Sequence, residues 1–293
     1  MGCLFAARLA AGGAKVTLID VDDARLAALA RDGVTLADDA GERTVPVGAS
    51  RTEDAAGPAD LIILFTKGMH SRAAMKAAAH LVGPETVALT LQNGLGNGEI
   101  IAEVVPAERV VHGITDFPAD LEGSTRVSTH GPGQSRLSGF VPEADAAAAR
   151  VAALLSAAGL PAMADPQVDV AIWEKVAFNA ALNSLATVSG RANAGNGAEP
   201  GRRIAFAIAG ETAAVAAAKG IKADLPKIEA KIDFVFAHHP NHKPSMLQDR
   251  LAGRATEIES INGAVVREGE RLGVPTPVTA TLADLVRLLE IPV

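Results

Sequence analysis

The sequence predicts an α/β protein in two parts: a doubly wound sheet-and-helix domain over residues 1–163, then an all-α domain over residues 164–293. Three observations carry this. Short apolar runs of strand composition alternate with helical patterns as far as residue 160, the signature of parallel strands joined by crossover helices. Beyond Gly159-Leu160-Pro161 and Asp165-Pro166 the pattern changes to long helical periods, interrupted at Gly195-Asn196-Gly197, Gly220 and Pro226. A length of 293 residues with 48% hydrophobic content suits two domains, each with its own core.

Composition narrows the function. No uninterrupted apolar run approaches the roughly 18–20 residues that a membrane span needs, so a soluble, cytoplasmic protein without a membrane partner is expected. The single Cys3 excludes an intrachain disulfide framework. A formal net charge of −7 and a pI near 5.5 argue against nucleic acid as a partner. Met1 to Gly13 shows an interrupted apolar pattern without the basic start of a signal peptide.

Taken in order, Gly2 to Ala11 is a helix stopped by Gly12-Gly13, and Val16 to Asp20 is a short buried strand ending in an acid. In dinucleotide-binding units a glycine-rich turn opens the first helix, and the second strand ends near a residue that reads the ribose. Gly2 then stands as the last glycine of that turn, and the strand that would precede it lies outside the sequence; the expectation is that Met1 is internal to a longer natural protein. Asp60 to Thr66 forms a buried strand leading to Lys67-Gly68, with a helix over His70 to Leu81. Thr86 to Leu91 delivers Gln92-Asn93-Gly94-Leu95-Gly96-Asn97 at a strand's carboxyl end, where ligands bind in such sheets; the same residues also suit a turn for purely conformational reasons. Val110 to Thr115 is a further strand, Arg126 to Gly133 a hairpin arm running into a turn, and Ala144 to Ala158 a helix. His112 and His130 have no ligand partners at metal spacing, so no metal site is expected.

In the second part, Ala171 to Gly190 places Lys175, Asn179 and Asn183 four residues apart on an otherwise apolar helix. This spacing suits the solvated side of an amphipathic helix, yet such a face carries several charges and the next one after Lys175 is Arg191. One cation and two amides facing a cleft would suit a small anionic carbonyl compound. Ser245 after Pro244, with Gln248 three residues on, has the form of a capping box, and Thr256-Glu257 also suits an ordinary helix face.

Together these stretches resemble the ketopantoate reductase (2-dehydropantoate 2-reductase) family. The matching residues are Met1-Gly2, Thr66-Lys67, Gln92 to Asn97, Trp173-Glu174-Lys175 with Asn179 and Asn183, Ser245 to Asp249, and Thr256-Glu257-Ile258 with Ile261-Asn262-Gly263. The resemblance implies a Rossmann-type first domain and hydride transfer from NAD(P)H to ketopantoate, giving pantoate for coenzyme A synthesis, at a site between the domains. By that similarity Lys175 is the general acid, and Glu257 fixes Lys175 or the nicotinamide ribose. Asn179, Asn183 and Asn193 orient the substrate, and Ser245 binds its carboxylate. Gly2, Asp20, Lys67, Asn93, Ala119 and Glu257 bind the cofactor. The family implies NADP, and a homodimer is the assembly expected of this chain.

Two departures bear on specificity. Where NADPH-dependent members have an arginine, this chain has Asp20-Val21-Asp22, which permits NAD; Arg25 and Lys67 remain as phosphate partners. His242 stands where the family often has asparagine, which opens a different 2-oxoacid as substrate. A rival of another class is a catalytically silent nucleotide-binding protein.

Overall fold

The computed structural model describes residues 1–291. It resolves into two compact units. The first comprises Met1–Gln92 and Asn97–Val168; the second runs from Asp169 onward and includes the Asn93–Gly96 turn. The boundary expected at residue 163 falls within a strand of the first unit.

The first unit contains α1 (Gly2–Ala11), β1 (Thr17–Ile19), α2 (Asp23–Asp32), β2 (Val34–Asp38), β3 (Gly41–Val45), β4 (Gly48–Ser50) and β5 (Ala59–Leu64). There follow α3 (Ser71–Ala77), β6 (Val82–Thr90), α4 (Asn97–Ala102), β7 (Val110–Thr115), β8 (Asp120–Glu122), β9 (Arg126–Ser128), β10 (Ser135–Gly139), α5 (Asp145–Ala157) and β11 (Ala162–Ala164). The central sheet has the order β11-β10-β7-β6-β5; β5, β6 and β7 are parallel, and β10 runs antiparallel to β7. Its strands alternate between two cores. Val87, Leu89 and Leu91 pack with α1 and α5, whereas Ala88 packs with Met75 of α3 and Ile101 of α4. Because successive strand residues point to opposite faces, this is a sheet covered by helices on both sides, and the expected doubly wound α/β class is what the chain adopts.

Three expectations change in detail. The buried strand over Val16 to Asp20 is a three-residue strand whose pattern is exposed, half-buried, exposed. Its sole partner among the described residues is β4, with which it forms a two-stranded parallel pair. The strand pattern also outlasts Pro161, since β11 joins β10 in parallel register. The helix over His70 to Leu81 keeps only its middle as α3, flanked by 3₁₀ turns at Gly68–His70 and Ala78–Leu81. A four-stranded sheet, β3-β2-β9-β8, completes this unit.

The second unit is all α: α6 (Val168–Ser189), α7 (Asn193–Asn196), α8 (Glu199–Ala218), α9 (Leu225–His238), α10 (Ser245–Leu251), α11 (Asn262–Leu272) and α12 (Pro277–Glu290). The 22-residue α6 lies at its centre. Ala177, Ala180, Ala181, Leu182 and Leu185 meet Ile208 of α8, Ile228 and Ile232 of α9, and Leu282 and Val286 of α12. Trp173 and Val176 pack in a second cluster with Val215 and Val265. Each fully buried Val or Leu of this kind contributes about 1.5–3 kcal/mol, so the apolar directions of α6 fix its place from two sides. Among the described residues no helix is long and apolar enough to cross a membrane.

Candidate active site

In the first unit, candidate cofactor residues gather around the first turn of α1. Gly2 is the first helical residue; the turn has no acidic residue and no side-chain cap, which leaves the positive end of the helix dipole uncompensated and suited to a phosphate group. A Cβ on Gly2 would lie 3.9 Å from Cβ of Phe65, just past β5. The Phe5 ring meets Phe65 and Phe117 edge-on, with centroids 4.9 and 6.2 Å apart, and Met1, Phe65, Phe117 and Ala119 all pack on the same core. Asp20 follows β1 immediately. One of its oxygens accepts from the amides of Val21 (2.7 Å) and Asp22 (3.2 Å), and the other pairs with Arg25 at 3.0 Å. Arg25 in turn donates to the Cys3 sulfur at 3.2 Å, so the acid is tied back to α1.

The ends of β5 and β6 are joined by a polar network. Gln92 donates through Nε2 to the Thr66 carbonyl and to Ser71 Oγ (2.9 Å), while its Oε1 accepts from Thr90 Oγ1 at 2.9 Å. This holds the Thr66–Lys67 turn, whose Lys67 carbonyl accepts from the His70 amide at 2.8 Å. Sequence reasoning did not single out Ser71 or Thr90. The signal was faint: a serine at a helix start and a threonine at a strand end are ordinary turn chemistry.

In the second unit α6 carries Lys175 and Asn179, both half-buried, and Asn183, only 4% exposed. Glu174 points elsewhere: it pairs with Lys227 at 2.6 Å and accepts from the Asp224 amide at the start of α9. Asn183 Oδ1 accepts from the amide of Met246 (3.3 Å) and from Ser245 Oγ (3.5 Å), so the start of α10 is hung on the lysine helix. The capping box expected at Ser245 is not formed. Pro244 occupies the cap position, the Ser245 hydroxyl is turned to Asn183, and Gln248 donates to the Lys243 carbonyl at 2.8 Å. Asn193 is 1% exposed; its Nδ2 donates to the His239 carbonyl (3.1 Å) and its amide to the His242 carbonyl (3.1 Å). It therefore clamps the loop that leads to Ser245, and His242 itself is exposed.

Thr256 and Glu257 lie in a turn between α10 and α11 rather than on a helix face. The half-buried Glu257 offers its carbonyl to the amides of Ser260 and Ile261, both at 3.1 Å. Glu290 accepts from the Thr256 amide at 2.7 Å. Arg287 and Arg267 grip Glu259, and the Arg287 hydrogen bond is the main reason its carboxyl lies below the usual glutamate range. On its other side the turn holds the Asn93–Gly96 segment: the Leu95 amide donates to the Ser260 carbonyl at 2.9 Å. Lys175 with Asn179 and Asn183, Glu257 with Ser260, and Asn93 thus belong to one packed unit.

Both units match known proteins in one continuous order. The profile described as ketopantoate reductase PanE/ApbA matches residues 1–140, and that of its C-terminal part matches residues 167–290. A 2-dehydropantoate 2-reductase from Streptococcus pyogenes serotype M1 is 33% identical over 295 residues, covering 99% of this chain and 95% of the relative. One from Halobacterium salinarum is 32% identical, covering 99% and 96%. Among solved structures, the ternary structure of D-mandelate dehydrogenase with NADH and anilino(oxo)acetate superposes with a TM-score of 0.92 at 32% identity, covering 98% of this chain and 94% of that one. A 2-dehydropantoate 2-reductase from Geobacter metallireducens gives 0.88 at 28% identity, covering 97% and 95%. With the profile spanning both units and full-length relatives above 30% identity, the chain belongs to the ketopantoate reductase family.

Proposed function

We propose that this protein reduces ketopantoate to pantoate with a nicotinamide dinucleotide, using Lys175 as the general acid. The observation that carries this is the polar stripe on α6, where a half-buried lysine and two amides interrupt a helix otherwise packed on two sides by apolar residues. The dinucleotide supplies the hydride. Lys175 donates a proton to the carbonyl oxygen as negative charge develops there, and its own positive charge stabilises that oxygen beforehand. Asn179 and the amide nitrogen of Asn183 orient the substrate's oxygens; Asn183 Oδ1 is already engaged by α10. Ser245 binds the carboxylate, Asn193 acts by holding the loop before it, and Glu257 orients Lys175 or the ribose.

The first turn of α1 and Asp20 fit a dinucleotide, the former by its uncapped amides and the latter by its position at the end of β1. Gly2, Lys67, Ala119 and Asn93 complete the cofactor contacts in this reading. A carboxylate at this point accepts hydrogen bonds from a ribose diol and repels a 2′-phosphate. Arg25 is engaged by Asp20, so NADH is the favoured cofactor.

A second reading is a related 2-oxoacid. The exposed His242 beside Ser245 and the similarity to a D-mandelate dehydrogenase favour it. Initial rates of NADH and NADPH oxidation, measured with ketopantoate and separately with phenylglyoxylate, decide between them. Faster turnover of ketopantoate supports the first reading, preference for phenylglyoxylate the second, and no turnover of either is evidence against both. A kcat/KM higher with NADPH than with NADH would overturn the cofactor assignment.

A further inference from the structure

Asn262, the first residue of α11, is fully buried at 0% exposure. Its Nδ2 donates at 3.1 Å to the carbonyl of Ala180 in the middle of α6, and its Oδ1 is buried with no hydrogen-bond partner among the described residues. A buried amide oxygen left unpaired costs about 1–3 kcal/mol, whereas an apolar side chain of the same shape avoids that cost. Nor does the Ala180 carbonyl need the amide, because Ser184 Oγ already donates to it at 2.6 Å. Judged by stability alone, leucine would serve better at this position.

What the amide does is fix geometry. It ties α6, one residue beyond Asn179 and five beyond Lys175, to the turn that carries Glu257. The same turn accepts the Leu95 amide at the Ser260 carbonyl, so two other candidate segments, α6 and Asn93–Gly96, converge on residues 256–262. A second external donor, Arg250 Nη1, binds the Thr187 carbonyl at 2.5 Å further along α6. Two such anchors resist both rotation of the helix about its axis and sliding along it.

We infer that Asn262 is a positioning residue: through the Ala180 carbonyl it sets the rotation and height of the Lys175–Asn179 face against the Glu257 turn. The inference rests on the reductase reading. Catalysis by a placed acid is sensitive to displacements of about 1 Å, so the amide is retained for placement at the expense of stability.

The test is Asn262→Leu, with Asn262→Ser as a second variant that stays polar but is too short to reach Ala180. Expected for both is a fall in kcat of about ten-fold or more, with the cofactor KM changed by less than about two-fold, because the Lys175–Asn179 face is displaced rather than the cofactor contacts. The alkaline limb of the kcat–pH profile, which reports the general acid, shifts measurably from that of wild type. The Leu variant melts no lower than wild type. Should Asn262→Leu fail to fold, the Ser variant alone carries the test.

Folded variants with kcat within about two-fold of wild type overturn the inference. So does lost activity that only tracks a lowered melting temperature with the pH profile unmoved, since that would mark a merely structural amide. A wild-type control inert toward every 2-oxoacid overturns the reductase reading, and this inference with it.

Discussion

Glu174 and Lys175 are adjacent in sequence and belong to different devices. The helix turns about 100° between them, which sends the glutamate to Lys227 and the cap of α9 and leaves the lysine on the stripe with Asn179. Glu174 therefore fixes α9, and Lys175 carries the proposed chemistry. Lys175→Met keeps the length and packing of the stem while removing the proton and the charge. Its expected effect is a loss in kcat of about 10²–10⁴-fold, the range for a positioned general acid. Cofactor affinity, read by quenching of intrinsic or nicotinamide fluorescence, stays within about three-fold of wild type, and so does the folded fraction. Retained turnover in this variant would remove Lys175 from the mechanism.

At the scale of elements, the turns hold the candidate residues in place. Gly94 has φ +92, and a Cβ there would overlap the Ser260 carbonyl oxygen, so both the backbone and the space demand glycine. Gly94→Ala is expected to destabilise the fold by about 2 kcal/mol, combining left-handed strain with displacement of the Leu95–Ser260 hydrogen bond. Urea unfolding of the two proteins reads this directly; equal midpoints would show that the turn has another conformation open to it. The sequence made this turn visible through its glycines and made α6 visible through its period. It did not reveal what either packs against. The Ser260 carbonyl is a backbone group that any residue supplies, and the role of Asn262 depends on a carbonyl 82 residues away. The strand region from Val34 to Ser50 was missed for a related reason. Its strands are three to five residues long; β2 and β3 form a local hairpin, but β2 also pairs with β9 and β4 with β1, contacts that no local pattern encodes. The same holds for Ser245, where a serine after proline reads as a cap until the tertiary partner, Asn183, is known.

At the scale of the whole chain, whose formal charge is −7, the fold pairs many of the carboxylates with arginine. Asp38 is the most enclosed of these, its side chain 5% exposed, and it ends β2 with both oxygens on Arg43 (2.9 and 2.7 Å) and a further contact to Arg8 of α1 at 2.7 Å. The Arg43 hydrogen bonds hold its carboxyl below the ordinary aspartate range, with help from the Ala40 amide and Arg8, against the opposing effect of burial. A depressed folded pKa has a definite sign. Asp38 contributes its full stabilisation above the unfolded value of about 3.9 and loses it as pH falls through the lower folded value. Replacing it leaves two arginines facing each other around a neutral group. For Asp38→Asn the expected loss near neutral pH is about 2 kcal/mol, below the usual 3–5 for a broken buried pair because both arginines are partly solvated. Melting temperatures of wild type and variant, followed from pH 7 downward, should differ most at neutral pH and converge as acid protonates Asp38 in the wild type. A gap that persists unchanged into acid would mean that the asparagine disturbs packing rather than charge, and the ion-pair account of this β2–α1 junction would fail.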